Sequence, residues 1–401
     1  MNYSRTLGAE TLFIRIRPAR CRGLPGWFGL IAAYRSLIGS VQRAVFGAVQ
    51  AVAVVLKLMA MPGDACLLDR GALLLIHTHT SSPRLVPAHP RLTGEVALAR
   101  VWSDRDMKVR IGISLGPAAV PAVFGDAVDR IEELGGDSLW LSEMVFGDQV
   151  EPFAGRAYAL SRTSRLKVGT GVAVLPGRQP VLVAKQLASL AGLAPGRVLP
   201  VFGLQPARPA ERGLFDVPAG RRAAVFDESL RLIRLLLTQE RVSVRGEFFA
   251  VDDAHIGPLP AKPLDIWLGG SAPGALRRVG RLADGWLGSL LTPDETRAAR
   301  EAIQAAAGQA GREVEADHFG ISLAIAPGGG VPADLAAAIR QRRPGSDPAT
   351  LVPTSWPAAR QAIEQYISAG LSKFVVRPAA PPASLDGFLS DFARELMPLQ
   401  T

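Results

Sequence analysis

The amino-acid sequence predicts an α/β protein, a (β/α)8 barrel with an insertion after strand 4 and an N-terminal extension before it. Three observations support this fold class. Strand-like and helix-like segments alternate regularly after Met107, eight of these segments are strand-like, and about 295 residues carry them. A barrel of this kind typically needs about 250 residues, which leaves room for one insertion. A doubly wound open sheet shows a similar alternation and stays the alternative fold.

The strands are predicted from short apolar runs, some of which alternate between apolar and polar residues. The run 109–115 shows this alternation most clearly, because every second residue is Val, Ile or Leu. In chain order, the eight predicted strands cover residues 109–115, 138–144, 166–175, 197–204, 264–268, 285–290, 319–325 and 373–376.

The helices between the strands are predicted from apolar residues that recur three and four positions apart. One N-terminus is well marked, because Thr292, Pro293 and Glu295 occupy the N-cap, N1 and N3 positions of a capping box. Gly135 and Gly136 end the first helix, since glycine readily adopts the left-handed conformation of a C-terminal cap. The predicted helices cover residues 124–134, 180–190, 226–238, 275–282, 293–309, 358–368 and 385–396.

The insertion separates the fourth and fifth predicted strands and covers residues 204–264. It begins with a loop that contains three prolines, continues with a helix, and ends with a predicted hairpin at 241–256. In barrels of this kind, the loops that carry function follow the C-terminal ends of the strands. We therefore expect this insertion to form the walls of a substrate pocket or a lid over it.

The net charge of +9 lies mostly in the first quarter of the chain. Residues 1–106 contain 13 basic and 6 acidic residues, whereas residues 107–401 contain 32 basic and 30 acidic residues. A strongly basic protein suggests a nucleic acid or an anionic membrane as its partner. Because the predicted barrel is almost neutral, we expect neither partner for it. The apolar fraction of 48% excludes a disordered chain, and two cysteines exclude a disulfide scaffold.

Residues 1–106 do not show the pattern of a folded domain, and three interpretations remain. The segment could be a membrane anchor, but its most apolar part, residues 44–61, contains Gln50 and Lys57. A lysine near the bilayer centre costs roughly 2.5–3.5 kcal/mol, so a membrane span is marginal. It could also be a small accessory domain. The third interpretation, which we favour, is an upstream extension that is not part of the natural protein, with Met107 as the natural start.

A serine motif near the start of the barrel raises the possibility of a hydrolase. Residues 112–116 match the G-x-S-x-G pattern, in which Ser114 would be the nucleophile. Asp284 and His318 follow in the order of an α/β hydrolase triad. The mechanism needs a sharp turn that exposes the serine, whereas the alternating pattern places Ser114 inside a strand. Hydrolysis is therefore kept as a remoter alternative.

A glycine-rich segment after the fifth predicted strand is a candidate binding site for phosphate. Gly269, Gly270 and Ser271 leave this strand, and Pro273 begins the next helix. Glycines let a backbone approach a ligand closely, and the N-terminal amides of a helix attract an anion. Gly203, at the end of the fourth strand, offers a second and weaker site. After Met107, no two histidines have the spacing of metal ligands, so no metal site is expected.

Polar residues also mark the end of the second predicted strand. Strict alternation would place Trp140 and Ser142 on one face of the strand and Glu143 on the other. A carboxylate at the mouth of a barrel could bind a cofactor hydroxyl or transfer a proton. The alternative is a glutamate that caps a helix or forms a salt bridge.

Four motifs, taken in order, resemble the luciferase-like monooxygenase superfamily. Within that superfamily the sequence is similar to the coenzyme F420-dependent oxidoreductases of actinobacteria. The resemblance covers residues 107–327, weakens afterwards, and does not include residues 1–106. Its motifs are residues 137–143, residues 175–186 together with Gly196-Arg197-Val198, residues 266–270 and residues 280–286.

The resemblance implies a deazaflavin or flavin that lies across the C-terminal mouth of the barrel. In such families the third strand carries a bulge, often with a cis non-prolyl peptide, that supports the face of the ring. Here this bulge would lie at Thr170, Gly171 and Val172. Backbone amides after the later strands would hold the phosphate, which matches the glycine-rich segment at 269–271 and, less strongly, Gly203.

The sequence departs from the family pattern at two places. Many F420-dependent members have a histidine directly after the acidic residue of strand two, whereas Met144 follows Glu143 here. An aspartate that is common before the Gly-Arg pair is absent from residues 190–195. Without the histidine, Glu143 is the only titratable residue of its motif. Glu143 and Ser142 are therefore our candidates for ring contact or proton handling.

Together, the motifs and the resemblance predict a cytoplasmic oxidoreductase. It would transfer a hydride between coenzyme F420 and a small organic substrate, and it could form a homodimer. The nearest alternative is an FMN-dependent monooxygenase on the same barrel. Trp286, in the sixth strand, could be a wall of the pocket or a core residue. The substrate is not readable from the sequence, because the insertion carries no specific motif.

Overall fold

The computed structural model describes residues 107–401 and four two-residue strands near the N-terminus. These strands form two antiparallel pairs, Asn2–Tyr3 with Ile14–Arg15 and Thr6–Leu7 with Glu10–Thr11. The three interpretations of residues 1–106 otherwise fall outside the described residues. None of the helices in the described part of the chain is long and apolar enough to span a membrane.

A parallel sheet of ten short strands forms the centre of the fold. We number strands and helices in chain order from residue 107. The strands of the sheet are β1 (Arg110–Ile113), β2 (Ser138–Leu141), β3 (Lys167–Thr170), β4 (Ala173–Val174), β5 (Val198–Leu199), β6 (Val201–Gly203), β9 (Trp267–Gly269), β10 (Gly285–Ser289), β11 (Phe319–Ile325) and β12 (Lys373–Pro378). The strands β7 (Val242–Arg245) and β8 (Ala250–Ala254) form a separate antiparallel hairpin, as predicted for the insertion.

Nine α-helices are found among residues 107–401, and most of them connect consecutive strands. They are α1 (Pro121–Glu133), α2 (Pro152–Arg162), α3 (Pro180–Leu193), α4 (Arg222–Thr238), α5 (Pro273–Leu282), α6 (Pro293–Gln309), α7 (Ala333–Arg342), α8 (Trp356–Ser368) and α9 (Leu385–Glu395). The apolar faces of eight of these helices pack on the outer side of the sheet in one large core, whereas Ile339 of α7 belongs to a smaller cluster with Ala324, Leu351 and Val352.

Two broken strands close the sheet into a barrel. The third barrel strand consists of β3 and β4, and the fourth consists of β5 and β6. The first halves, β3 and β5, pair with each other, and the second halves, β4 and β6, pair with each other. The third and fourth barrel strands are therefore hydrogen-bonded on both sides of the breaks. Across the breaks, Thr170 Oγ1 donates to Val201 O at 2.6 Å and accepts from Val201 N at 2.9 Å. The (β/α)8 barrel is confirmed, and the open doubly wound sheet is wrong, because halves of the third and fourth barrel strands lie at both ends of the strand order and so bring the two ends of the sheet together.

The elements differ from the prediction in ways that have local causes. Helices α2 and α7 were not predicted, because α2 buries Gly155 and Arg156 on its inner face, and α7 buries only Ala336 and Ile339. The second strand ends at Leu141 instead of Met144, because residues 142–144 turn out of the sheet. The predicted strand 166–175 is interrupted between its two halves.

Tryptophan and glycine pack against each other inside the barrel. The indole of Trp140 lies between β1 and β3. A Cβ atom on Gly112 would lie 2.4 Å from Trp140 Nε1, and one on Gly169 would lie 2.6 Å from Trp140 Cε3. Both positions therefore require glycine for close packing. The interior cluster around this indole consists of Trp140, Val201, Trp267, Leu287 and Val375.

Charged residues close the N-terminal end of the barrel. Asp137 lies 2.9 Å from Lys167 Nζ and 3.5 Å from Lys373 Nζ. Burial alone would raise the pKa of Asp137, but the charges of Lys373 and Lys167 outweigh it and hold this pKa below its usual value. The cluster stabilises the end of the barrel that lies opposite the C-terminal mouth.

The capping box of α6 supports a prediction about pH. Glu295 accepts from Thr292 N at 2.8 Å and pairs with Arg343, which follows α7. The hydrogen bonds from Arg343 lower the pKa of Glu295 from 4.5 to about 2. Because the folded pKa is depressed, this stabilisation is present above the ordinary pKa and is lost as pH falls towards 2.

We expect Glu295→Gln to lower the free energy of unfolding at pH 7 by about 1 kcal/mol, since the pair is partly exposed. The difference from the wild type should shrink as the pH falls from 4.5 towards about 2. Urea unfolding at a series of pH values measures both effects. Glu301→Gln, at an exposed position of the same helix, is the control. Equal stability of Glu295→Gln and the wild type at pH 7 would contradict the prediction.

Candidate active site

A cavity of about 640 Å³ opens at the C-terminal ends of the strands. All eight barrel strands or the loops directly after them contribute to its wall. Ligand pockets commonly have volumes of about 300–1,000 Å³, and barrels of this type carry their active sites at this end. The cavity is therefore the candidate active site, and the predicted site residues can be located relative to it.

Glu143 connects the end of β2 to the broken third strand. Its Oε2 accepts from Val174 N at 2.5 Å, and its Oε1 pairs with the guanidinium of Arg178. Arg178 Nε also donates to Val174 O at 2.9 Å, and Glu143 N donates to Val172 O at 3.3 Å. The carboxylate and the guanidinium together hold the second half of the third strand in place.

The environment of Glu143 favours its neutral form more than water does. The residue is only 5% exposed although it lines the cavity. Burial raises the pKa of the carboxyl group, while the charge of Arg178 and the hydrogen bond from Val174 N lower it, and the net direction is upward. Glu143 therefore combines an upward-shifted pKa with a position on the cavity wall, as proton-transferring groups do.

Ser142 binds the first residue of the break in the third strand, whereas Glu143 binds the second half of this strand. Its hydroxyl donates to Gly171 O at 3.0 Å. The peptide bond between Gly171 and Val172 is cis, at the position where the family resemblance implies one. Ser142 and Glu143 thus both bind the backbone of residues 171–174, and Thr170 ties the same segment to the fourth strand.

Val172 fills the space between the fourth and fifth strands. A Cβ atom on Gly203 would lie 2.6 Å from Val172 Cγ2, and one on Gly269 would lie 2.9 Å from Val172 Cγ1. The absence of side chains at these glycines is thus explained by the close packing of Val172. Gly203 and Gly269 still line the cavity through their backbones.

The segment after β9 has an open helix N-terminus. Gly270 has a positive φ of 108°, and its carbonyl accepts from Trp286 Nε1 at 2.8 Å. No side chain caps α5, whose N-cap residue is Ala272. Pro273 has no N–H and Ala275 N donates to Ala272 O at 2.8 Å, so the amide of Gly274 is the donor of this first turn that is left for an anionic ligand. Trp286 is fully buried, so it is a core residue that supports this segment and not a wall of the pocket.

Loops from three different parts of the barrel meet over the mouth. Arg342, at the end of α7, donates to Ala207 O at 2.6 Å in the loop after the fourth strand. Phe146 N, in the loop after β2, donates to Glu211 Oε1 at 3.0 Å. The start of the insertion thus forms part of the wall, as expected. Sequence reasoning missed Arg342 because α7 has too few apolar residues to predict a helix there.

The serine motif does not form a hydrolase triad. Ser114 lies at the C-terminal end of β1, whereas Asp284 and His318 directly precede β10 and β11. In a parallel barrel these positions are at opposite ends. Asp284 is paired with Arg234 at 2.6 Å, and His318 Nδ1 lies 2.8 Å from Asp284 O. The alternative of hydrolysis by Ser114 is therefore wrong, because base and nucleophile cannot meet.

One group of residues near His318 has the spacing of metal ligands. Glu315, Asp317 and His318 each offer one ligand atom, and these atoms lie within 4.8 Å of one another. They lie before β11, at the end of the barrel opposite the cavity. This group therefore has no part in the candidate active site.

The relation of the chain to known proteins agrees with this architecture. The family model described as luciferase-like monooxygenase matches residues 107–369. The chain belongs to the luciferase-like monooxygenase family. The matched region contains every site residue described above and extends beyond residue 327, where the resemblance in the sequence weakens.

Curated relatives of this family member include enzymes that use coenzyme F420. It is 31% identical over 175 residues to the F420-dependent glucose-6-phosphate dehydrogenase of Kineococcus radiotolerans, a match that covers 42% of this chain and 52% of that protein. It is 33% identical over 186 residues to the enzyme of the same name from Nakamurella multipartita, with the same coverage. The chain thus spans about half the length of the curated relatives it matches.

Solved structures of the luciferase-like family share the fold of the barrel. An F420-dependent secondary alcohol dehydrogenase, in complex with an F420-acetone adduct, superimposes with a TM-score of 0.62 at 17% identity. The match covers 74% of this chain and 100% of that one. A type II Baeyer–Villiger monooxygenase from Pseudomonas putida, in complex with FMN, gives a TM-score of 0.58 at 16% identity, with 74% and 99% covered. At these identities the likeness shows the fold alone.

Proposed function

We propose that the chain is an oxidoreductase that transfers a hydride between coenzyme F420 and a small organic substrate. The observation that carries the proposal is the segment around the Gly171–Val172 peptide, which Ser142 and Glu143 hold at the mouth of a cavity of about 640 Å³. The family relationship and the F420-dependent relatives support the choice of cofactor.

The residues of the cavity fit such a cofactor. Thr170, Gly171 and Val172 would support one face of the ring, because Gly171 and Val172 line the cavity and Thr170 ties the same segment to the fourth strand. Gly270 and Ser271, with the uncapped start of α5, would hold a phosphate. Gly203 and Gly269 would lie beside it through their backbones. When bound, the cofactor supplies the hydride chemistry, while the protein binds and orients it.

Glu143 and Ser142 have positioning roles in this proposal. Both side chains bind the backbone that would support the ring, so they would act by holding this support in place. Glu143 is in addition the titratable group of this segment, and burial moves its pKa upwards. It is our candidate for holding a proton at Oε2 or Oε1 near the cofactor. A change in the pH profile of activity in Glu143→Gln would support this second role.

FMN is the second candidate cofactor. A structural neighbour of this fold contains FMN, and the same ring-supporting and phosphate-binding segments would serve a flavin. An FMN-dependent monooxygenase is therefore the alternative function. The two cofactors differ in ring and tail but share the phosphate, so affinity measurements separate them.

Titration of the purified chain with F420 and with FMN tests the proposal. Cofactor fluorescence or absorbance reports binding, and we expect F420 to bind at least tenfold more tightly than FMN, about 1.4 kcal/mol. Tight binding of FMN without binding of F420 would favour the alternative function, an FMN-dependent monooxygenase. Binding of neither cofactor would contradict an oxidoreductase of this type.

The phosphate segment can be tested with one substitution and a matched control. Gly270→Val should weaken the binding of either cofactor at least tenfold, because a Cβ atom there would lie 3.0 Å from Ala275 Cβ and φ is 108°. Gly274→Ala, in the first turn of α5, has only the end of Arg277 at 4.0 Å and should leave affinity within twofold. Equal affinities of the two variants for the cofactor would show that this segment does not bind the cofactor's phosphate.

A further inference from the structure

Arg377 points into the cavity from the eighth barrel strand. Val375 belongs to the interior cluster, and alternation along β12 places Arg377 on the same inner face, one step nearer the mouth. Lys373, on the same face, lies two residues further towards the closed end and is paired with Asp137 at 3.5 Å. Arg377 lines the cavity, as do Ser114 and Gly116 of the neighbouring strand and loop.

The guanidinium of Arg377 has no hydrogen bond or ion pair with any residue between Met107 and Thr401. Other arginines of this region are neutralised by carboxylates. Arg278 pairs with Asp227, Arg178 pairs with Glu143, and Arg208 lies 3.8 Å from Glu211. Arg377 is half-buried. A cation that is partly withdrawn from water without a counter-charge is unfavourable, which is why such groups are usually paired.

A second arginine near Arg377 also lacks a carboxylate partner among the described residues. Arg342 lines the same cavity, and its one hydrogen bond is to a backbone carbonyl, that of Ala207. Burial and the nearby charge of Arg342 both lower the pKa of Arg377. Among the described residues that line the cavity, Glu143 is the only acid, and Arg178 already neutralises it. This side of the cavity therefore has an excess of positive charge.

We propose that Arg377, assisted by Arg342, binds an anionic group of the substrate, a carboxylate or a phosphate. The inference rests on the proposed function and adds the chemical class of the substrate to it. A guanidinium presents several N–H donors in a plane and binds carboxylates and phosphates in a bidentate manner. An anion placed there would also relieve the repulsion between the two arginines.

The position in the barrel assigns this anion to the substrate and not to the cofactor. The proposed phosphate site follows the fifth strand, and the ring-supporting segment is in the third. Arg377 ends the eighth strand, which pairs with the first and the seventh, and Arg342 follows the seventh. In a ring of eight strands, the eighth is three positions away from both the fifth and the third. Arg377 thus lies away from the cofactor's proposed phosphate and from the ring-supporting segment.

Calorimetric titration with inorganic phosphate and, separately, with acetate tests the inference. It is carried out on the full chain without cofactor and again after saturation with F420, which occupies the cofactor's own phosphate site. The variants are Arg377→Met, Arg377→Lys and the control Arg231→Met, at an exposed position of α4. Titration of each variant with F420 and FMN, and its melting temperature, are measured in parallel.

We expect at least one of the two anions to bind the wild type and the control equally well. Arg377→Met should weaken this binding at least tenfold and leave cofactor affinity within twofold. Arg377→Lys keeps the charge but not the planar donors, so it should lose less. If Arg377→Met does not fold, the inference is tested with Arg377→Lys, whose anion affinity should be at least threefold lower than that of the wild type. Preference for phosphate over acetate identifies a phosphorylated substrate, and the reverse identifies a carboxylate.

Three results would overturn the inference. The first is a wild type that binds neither anion, and the second is a folded Arg377 variant with unchanged anion affinity. The third is a tenfold loss of cofactor affinity in that variant, which would assign the arginine to the cofactor. Failure of both cofactors to bind the wild type contradicts only the proposed function. The anion titration of the cofactor-free protein still reports on Arg377, so the two failures are distinguishable.

Discussion

Replacing Glu143 with alanine should lower the free energy of unfolding by about 3–5 kcal/mol, and cofactor binding should be lost. The substitution leaves the guanidinium of Arg178 without its buried partner, whose side chain is only 2% exposed. It also leaves Val174 N, which donates to Glu143 at 2.5 Å, without an acceptor. Because both groups hold the break in the third strand, the support for the cofactor ring should fail with them.

Glu143→Gln separates the hydrogen bond from the charge. The amide oxygen can still accept from Val174 N, but the amide nitrogen would then face the guanidinium of Arg178, which donates to the other carboxylate oxygen in the wild type. The loss of stability should therefore be about 1.5–3 kcal/mol, less than in the alanine variant. This smaller loss is expected because burial raises the pKa of Glu143, so the ionised carboxylate costs folding energy that glutamine does not. With a folded pKa above its usual value, the wild type should lose stability relative to this variant as the pH rises above about 4.5.

Urea unfolding and cofactor titration of both variants check these expectations. Glu151→Gln is the control, because Glu151 is the other carboxylate near Arg178, at 3.8 Å, and is half exposed. It should change stability by less than about 1 kcal/mol. An alanine variant as stable as the wild type would mean that the position of residues 171–174 does not depend on the contacts of Glu143.

Gly169→Val should lower the free energy of unfolding by about 2–3 kcal/mol or more, through overpacking. The new side chain would start 2.6 Å from the indole of Trp140, which is only 2% exposed and cannot move aside. Trp140 also lines the floor of the cavity, so cofactor affinity should fall together with stability.

A second substitution can restore the packing. Trp140→Leu alone should destabilise the barrel by creating a cavity, whereas in Gly169→Val it should return part of the lost stability. A double-mutant cycle in urea measures this coupling. Gly192→Ala, where a Cβ atom has no neighbour within 4 Å, is the control and should not destabilise. Additive effects of the two substitutions would show that residues 140 and 169 do not compete for space.

The barrel itself could be predicted because strands and helices have different periods and their alternation extends through the whole matched region. The same reasoning missed α2, because Arg156 is fully buried on its inner face, 5.2 Å from the ring of Phe153. A charged residue at a buried position interrupts the apolar pattern on which the prediction depends. Periodicity also ended the eighth strand at Val376, so Arg377 was not considered as a site residue.

The candidate site could be predicted in its location and only partly in its contacts. The resemblance placed the ring-supporting segment at residues 170–172, and the structure has a cis peptide there. The sequence could not show that Glu143 binds Arg178 and Val174 N, because these contacts depend on how the third strand is broken. Sequence order also made Ser114, Asp284 and His318 look like a triad, since it does not report which end of a barrel each residue occupies.

The closed end of the barrel has a consequence for the order in which ligands bind and leave. Asp137 with its two lysines closes one end, and the interior cluster around Trp140 fills the space above it. Ligands therefore reach the cavity from the C-terminal mouth and not through this end of the barrel. In the proposed function, cofactor and substrate would both enter from this mouth, and the bound ring beside residues 170–172 would be part of the surface that the substrate contacts. We therefore expect the cofactor to bind before the substrate and to leave after it.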